Sequence, residues 1–467
     1  MPTIHPRFLL WLVAVGFFMQ MLDSTIVNTA LPSMAVSLRQ SPLHMQAVVV
    51  AYSLTMAAII PATGWLADRY GTQRIFLLAI LLFTLGSAAC VFSNRLQWLV
   101  AARILQGMGG AMLMPVGRLV VLRGHPREKF LEAMNFVLIP GLVGALIGPT
   151  LGGWLVETWS WHWIFLINIP VGIVGALATW RFMPNLRDSE ARRFDLSGYL
   201  LLLIAMLSIS LALDGLGGLA FQHATVVVLM VLGLAALTAY WLHALKAAAP
   251  LFSPSLFAID SYRVGILGNL FARVGSGAMP FLVPLFMQLG MGFSPAQAGM
   301  LMLPMALANV GIKRAITRII QHFGYRRTLL ANTLMLGAMI ASFALMWREQ
   351  PLWLRIAQLA CFGAVNSMQF SAMNTVTLKD LDAARASSGN SMLSMVQMLG
   401  MSLGVTCGAA LLTTFAGWID GGGLAEVPAF RAAFVMIGLL TMVSAGIFWQ
   451  LPEDASSTDH VVMSGLE

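Results

Sequence analysis

Gly64-Trp-Leu-Ala-Asp68-Arg69-Tyr-Gly71-Thr-Gln-Arg74 joins two apolar runs, 46–67 and 75–93. Each run is about the 20 residues that a helix needs to cross hydrocarbon. Gly71 permits a tight turn between them. Asp68 can cap the next helix or pair with basic residues. Parts of the pattern return later in the chain. Ser41-Pro42, Gly71 and Arg74 recur as Ser294-Pro295, Gly324 and Arg327, all displaced by 253 residues. One shared offset at one place in the helix order implies two homologous six-helix halves. Repeats of this kind place a substrate path near the bilayer midplane, where the halves meet. In the second copy Gln321 stands where the first has Asp68, so any gating charge is expected in the first half.

Outward from this turn the same texture continues. The 467 residues are 58% hydrophobic and 10% charged, with a mean hydropathy of +0.82. A soluble chain carries about 25% charged residues to clothe its surface, so this composition requires lipid. Fourteen apolar segments follow: 8–31, 46–67, 75–93, 96–122, 133–156, 163–183, 197–215, 224–244, 264–289, 296–316, 328–347, 352–376, 388–412 and 430–451. Their length favours helices over the alternating strands of an outer-membrane barrel. The expected fold is an all-α integral membrane protein with two six-helix halves, 1–183 and 264–451. Residues 184–263 hold two inserted helices and 452–467 form a tail. The first run lacks a small-residue cleavage site and is read as a retained helix.

Basic residues set the orientation. With the N-terminus inside, 20 of the 27 Lys and Arg fall on the inner side, and five, Arg39, Arg95, Arg348, Arg355 and Arg431, on the outer side. Positive residues resist translocation, so both termini are expected in the cytoplasm. The +8 net charge is scattered over helix ends, which argues against nucleic acid as a partner. Cys90, Cys361 and Cys407 lie far apart inside apolar spans, and neither a disulfide nor a metal site is expected.

Ionisable groups at bilayer depth are costly and usually functional. Asp23 is about eight residues, roughly 12 Å, from the expected outer end of the first helix. Arg103 is about seven residues, roughly 10 Å, below the same surface on the fourth. Similar depth predicts an Asp23–Arg103 pair. Burial opposes the charged carboxylate and a guanidinium favours it, a balance suited to proton coupling; a fixed ion pair is the plainer alternative. Arg273 sits near mid-span with no acid visible in the second-half spans, and Gly275 and Gly277 are expected to leave space around it. Asn269, Gln369 and Asn374, with Gln288 and Asn366, are candidates for lining a path or for helix packing. Gly144, Gly148 and Gly152 form a small-residue stripe that allows close helix approach, and Pro149 favours a kink.

The Gly64–Arg74 stretch resembles the first-loop signature of the major facilitator superfamily. Four further segments resemble motifs of its fourteen-helix drug:proton antiporter family: Leu22-Asp23-Ser-Thr-Ile-Val-Asn28-Thr-Ala-Leu-Pro32, Arg103-Ile-Leu-Gln106-Gly107-Met-Gly-Gly110-Ala111, Gly144-Ala-Leu-Ile-Gly148-Pro149-Thr-Leu-Gly152-Gly153, and Trp161-His-Trp-Ile-Phe165-Leu-Ile-Asn168-Ile-Pro170. The resemblance implies a bacterial inner-membrane exporter of hydrophobic or amphiphilic molecules driven by proton entry. Asp23 and Arg103 would be the coupling residues. Asp68, Arg69, Gly71, Arg74, Gly144, Gly148, Pro149 and Gly152 would be gating residues, and Asn28 and Gln106 candidate substrate contacts beside Arg273. No cofactor is expected beyond the proton as coupling ion; the partners are a small-molecule substrate and the bilayer, and the protein is expected to be a monomer. An exporter of organic anions such as di- or tricarboxylates, with Arg273 as the clamp, is the alternative. An enzyme would need an acid/base or nucleophile constellation, and a sensor a sizeable output domain; neither is visible.

The charge bias gives a first test. Tags placed at Thr3 and near Asp459 should both be shielded from an outside reagent in cells and labelled after permeabilisation. Labelling of either tag from outside would overturn the even helix count.

Overall fold

The computed structural model describes residues 6–124, 130–187, 194–215, 223–419 and 427–452. Among these the regular structure is helical. The helices are α1 (Pro6–Ser37), α2 (Gln46–Tyr70), α3 (Thr72–Val91), α4 (Leu96–Gly124), α5 (Phe130–Thr158), α6 (Trp163–Leu166), α7 (Asn168–Phe182), α8 (Leu196–Gly215) and α9 (His223–Lys246). They continue with α10 (Asp260–Leu285), α11 (Pro295–Leu301), α12 (Leu303–Gly311), α13 (Lys313–Ser342), α14 (Leu352–Leu378), α15 (Ala383–Ile419), α16 (Val427–Val443) and α17 (Ala445–Phe448).

Each of the fourteen expected segments is helical, but only twelve helices among the described residues are both long and apolar enough to cross a membrane unaided. The two others fall short for different reasons. The 296–316 segment is divided between α11, α12 and the start of α13. Segment 352–376 is one helix, α14, made polar by Arg355, Gln358, Asn366, Gln369 and Asn374. Three more spans carry breaks: α6 and α7 part at Ile167, α10 ends in a π-turn over Phe286–Gly290, and α16 and α17 part at Ser444. Helix α1 continues through Pro32 to Ser37, six residues past its expected end. Helix α5 is continuous through Pro140 and Pro149. Of the expected tail, residues 453–467 lie outside the described residues.

The chain forms two compact units. The first comprises Met1–Ser208, Leu232–Leu237 and Phe293–Met300; the second comprises Ile209–Val231, Thr238–Gly292 and Leu301–Glu467. Positive φ angles occur, among the described residues, at Arg39 (53°), Gly71 (96°), Gly292 (71°) and Gly324 (74°). These are two pairs, each separated by the 253-residue offset of the sequence repeat. Backbone geometry therefore repeats even where residue type does not: the position held by Gly292 in one copy is Arg39 in the other.

In the first unit α5 packs along α1 through the glycine stripe. A Cβ on Gly144 would lie 2.7 Å from the Phe18 carbonyl, and one on Gly152 would lie 2.6 Å from the Ile26 carbonyl. One on Gly148 would overlap Thr25 Oγ1. The stripe therefore seats the helix that carries Asp23. The opposite face of α5 receives residues 295–299: Thr150 Oγ1 donates to the Gly299 carbonyl at 3.1 Å, and Gly153 lies against Pro295. Helices α3 and α4 approach as closely, with Gly86 against the Gln106 backbone and Gly109 against Phe83.

In the second unit α10 is covered by α14, α15 and α16. Its glycines do not open space around Arg273. A Cβ on Gly275 would strike Thr441 Oγ1, and one on Gly277 would lie 2.9 Å from Met401 Cα. The glycine that accommodates Arg273 is Gly400 on α15, where an added Cβ would lie 2.9 Å from the Arg273 Cβ.

The α1–α5 seam makes a graded prediction. Thr25 Oγ1 is tied to the Met21 and Leu22 carbonyls at 3.1 and 3.2 Å, so it yields poorly to intrusion. Gly148→Val should lower stability by about 1–3 kcal/mol, the usual cost of overpacking. Gly141→Ala, whose added Cβ would meet nothing closer than 3.5 Å, should be neutral within error. Thermal unfolding of purified protein in detergent measures both, and equal effects would refute the seam.

Candidate functional site

Asp23 on α1 is fully buried, and Arg103 on α4 is 1% exposed. Arg103 Nη1 donates to Asp23 Oδ2 at 2.6 Å. The same nitrogen donates to Gln106 Oε1 at 2.6 Å, and Arg103 Nε donates to the Val48 carbonyl at 3.3 Å. The guanidinium lies 4.0 Å from the Tyr52 ring centre and 5.8 Å from that of Phe165. The other carboxylate oxygen, Oδ1, accepts Gln106 Nε2 at 2.7 Å and Asn168 Nδ2 at 3.2 Å. Gln106 Nε2 also donates to Ser87 Oγ at 2.8 Å, and Cys90 Sγ lies 3.9 Å from Gln106 Oε1.

Helices α1, α2, α3, α4 and α7 thus contribute to one buried polar network. Its stakes are high, because a buried charge deprived of its partner costs far more than the pair contributes. Both expected coupling residues are at its centre. Gln106 belongs to the network too, rather than standing apart as a substrate contact. Asn28 turns its amide back onto α1, donating to the Ser24 and Thr25 carbonyls at 3.4 Å. Asn168 lies within the motif at the entry to the sixth span; for Ser87 and Tyr52 the sequence offers no signal.

The Gly64–Arg74 turn forms a second constellation. Asp68 is half-buried and ion-paired with Arg123 of α4. Gly71 has φ 96° and ψ 149°, and any side chain there would also run into Asn185. Thr72 N donates to the Leu186 carbonyl at 3.0 Å, and Gln73 Nε2 to the Trp180 carbonyl at 3.0 Å. The turn is therefore docked onto the chain that leaves α7. Arg69 and Arg74 are exposed.

The second-unit candidates are divided among three places. Arg273, 6% exposed, donates through Nε to Asn269 Oδ1 at 3.3 Å, and its guanidinium lies 4.1 Å from the Phe370 ring centre. Its Nη2 is buried without a hydrogen-bond partner among the described residues. Gln369 joins α14 to α13, accepting Asn332 Nδ2 and donating to Thr333 Oγ1, both at 2.7 Å. Asn374 Oδ1 accepts Gln397 Nε2 of α15 at 2.7 Å. Gln369 and Asn374 therefore make helix-joining bonds, the interhelical role expected of amides in lipid.

Residues 13–405 match the family described as the Major Facilitator Superfamily. Over nearly its whole length the chain is similar to relatives named MdtD, provisionally assigned to multidrug resistance. It is 51% identical over 459 residues to the one from Serratia proteamaculans (strain 568), covering 97% of this chain and 95% of the relative. It is 50% identical over 453 residues to the one from Escherichia coli O9:H4 (strain HS), covering 96% and 95%. Among solved structures, a POT family transporter in complex with 5-aminolevulinic acid matches with a TM-score of 0.70 at 16% identity, over 95% of each chain. A bacterial homolog of the human lysosomal transporter Spinster, inward-facing and unoccupied, matches at 0.69 and 15%, over 96% of this chain and 97% of that one. At these identities the two structures share the fold.

Two of the buried arginines, Arg103 and Arg273, should respond oppositely to removal. Arg103→Ala strands the Asp23 carboxylate and should cost about 3–5 kcal/mol. Arg273→Met removes a buried cation with few compensating bonds while retaining apolar bulk, and should be neutral or stabilising. Unfolding midpoints in detergent decide this, and comparable losses for both variants would show that Arg273 is as well compensated as Arg103.

Proposed function

The chain belongs to the major facilitator superfamily, and we propose that it works as a proton-coupled exporter of drugs or other small amphiphilic molecules. It is a multi-pass membrane transporter. The proposal sets it in the bacterial inner membrane as a monomer, with both termini cytoplasmic and the proton as its coupling ion. The observation that carries the coupling reading is the Asp23 carboxylate, fully buried yet bonded by donors from two other helices. A carboxylate so placed has two competent states. Charged, it holds α4 and α7 to α1 through Arg103, Gln106 and Asn168. Protonated, it loses its Coulombic attraction to Arg103, and those helices are held less tightly. A proton arriving from outside and leaving inside would thus alternate the packing of the first unit, and export would use the other half of the cycle. Gating is proposed for Asp68 with Arg123 at the docked α2–α3 turn, and for the Gly144–Gly148–Pro149–Gly152 face of α5.

The organic-anion reading is not favoured. The relatives' names point to drugs, and Asn269 and Phe370 already supply part of what Arg273 requires. Substrate contact by Arg273 and Asn269 stays within the drug-export proposal: Arg273 Nη2 has no hydrogen-bond partner among the described residues, while the Asn269 amide is bonded to Gly265, Thr377 and Arg273.

Asp23→Asn is the direct test. It preserves size and hydrogen bonding but cannot titrate. The driving force at stake is about 2.3 kcal/mol per charge per 100 mV. In everted vesicles energised by an imposed proton gradient, accumulation of a fluorescent lipophilic dye should fall to background in the variant. Wild-type accumulation with an unchanged pH profile would reduce Asp23 to a structural ion pair.

A further inference from the structure

Three donors converge on the Asp23 carboxylate, and they are not equivalent. Arg103 holds Oδ2, while Gln106 and Asn168 share Oδ1. A proton on Oδ2 would face the guanidinium N–H that now donates to it at 2.6 Å, a group that offers no lone pair. A proton on Oδ1 faces two side-chain amides, each of which offers an acceptor if its two ends exchange places. The ends of an amide are isosteric, so exchange is a rotation and not a repacking.

Gln106 is not free to turn. Its Oε1 accepts Arg103 Nη1 at 2.6 Å, and reversal would press an NH2 group against the guanidinium. Asn168 makes a single side-chain hydrogen bond, the one to Asp23, and at 3.2 Å it is the longest of the three. It is 2% exposed and stands at the first residue of α7, just after the break at Ile167. Among the described residues no second side-chain hydrogen bond fixes which end of its amide faces Asp23.

We propose that Asn168 is the positioning residue that receives the proton-bearing Oδ1 of Asp23. Its Nδ2 donates to the carboxylate in the charged state; turned end for end, its Oδ1 accepts from the carboxylic acid in the protonated state. One O–H bond forms on Oδ1, the proton coming from the outer aqueous phase, and no other covalent bond changes. The buried acid is thereby hydrogen-bonded in both states, which a donor-only neighbour such as Arg103 cannot provide.

The other titratable groups facing this site are few. From α2 comes Tyr52, whose ring covers the guanidinium and whose hydroxyl has no partner among the described residues. From α3 comes Cys90, which reaches Gln106 Oε1, and from α4 comes Arg103 itself. Helix α5 meets α1 with glycines, and α6 contributes the uncharged Phe165. Tyr52, with its unpartnered hydroxyl, is the rival acceptor that the test must separate from Asn168.

The inference rests on Asp23 being the proton-carrying group, and infrared spectroscopy separates the two ideas. Purified full-length protein in phosphatidylethanolamine–phosphatidylglycerol vesicles is titrated, and the carboxylic C=O band missing from Asp23→Asn is assigned to Asp23. In wild type that band should lie at the lower frequency of an acid that donates a hydrogen bond. In Asn168→Leu it should move to higher frequency, because the acid has lost the acceptor of its hydrogen bond. In the near-isosteric Asn168→Asp, which preserves shape where Leu disturbs folding, it should move to lower frequency, because a carboxylate is a stronger acceptor than an amide. Tyr52→Phe should leave the frequency unchanged. A wild-type band at the frequency of a free acid, a band indifferent to both Asn168 variants, or a shift that follows Tyr52→Phe instead would overturn the role of Asn168. A spectrum in which Asp23→Asn removes no titrating band would overturn the coupling reading itself.

Discussion

The first unit is organised by one requirement, that a carboxylate and a guanidinium be held together where water is scarce. An isolated charge moved into low dielectric costs many kcal/mol, and attraction to its partner offsets this only when the remaining lone pairs and protons are also bonded. Asp23 and Arg103 therefore recruit neighbours: Gln106 and Asn168 for Oδ1, the Val48 carbonyl and the Tyr52 face for the guanidinium. Each recruit fixes a helix. Gly86 allows α3 to approach the backbone of Gln106, which lets Ser87 reach that side chain. The glycine stripe of α5 settles α1 along its other side, within two residues of Asp23. Close helix contact in lipid depends on small residues of this kind, because apolar area alone gives little drive for association.

The second unit repeats the backbone pattern with different chemistry. Positive φ at Gly71 and Gly324, and at Arg39 and Gly292, marks corresponding turns. Yet Asp68 is paired with Arg123, whereas Gln321 at the matching position is exposed. Arg273, a buried cation of the second unit, has an amide and an aromatic face and, among the described residues, no carboxylate partner. Polar bonding between its helices is carried by neutral amides, Asn332 with Gln369 and Gln397 with Asn374. Such bonds join helices without a titratable charge, so they hold equally well at any pH the cell meets.

Sequence patterning made some of this legible. Helix number and order follow from apolar run length, a one-dimensional property. The meeting of Asp23 and Arg103 followed from depth along two helices, and the glycine stripe from a spacing of four. Depth proved a loose guide even there, since α1 extends six residues beyond its expected end. What depends on helix rotation was not legible. Ser87 and Tyr52 carry no local signature, and only the packed bundle reveals that they face the ion pair. The same blindness explains Gly275 and Gly277, read as empty space beside Arg273 and found to be filled by Thr441 and Met401. A glycine in sequence says that something comes close; it does not say what. Polar residues lower the hydropathy of α14 without removing it from the expected spans, and two of them, Arg355 and Gln369, are buried.

The ion pair is asymmetric in a way that bears on its use. Were Asp23 to become neutral, Arg103 would still have Gln106 Oε1, the Val48 carbonyl and two aromatic faces. Were Arg103 removed, Asp23 would retain two neutral amide donors. Neither would keep a counter-charge among the described residues, but Arg103 would keep the fuller set of partners. A fixed structural bridge has no need of that difference, since both partners of such a bridge keep their charge. A titrating site does need it. The cation must remain solvated by the protein while the acid changes state, and the guanidinium, which stays protonated at any accessible pH, is the suitable permanent member. The distribution of partners around these two side chains is thus the physical ground on which Asp23, and not Arg103, is proposed to carry the changing charge.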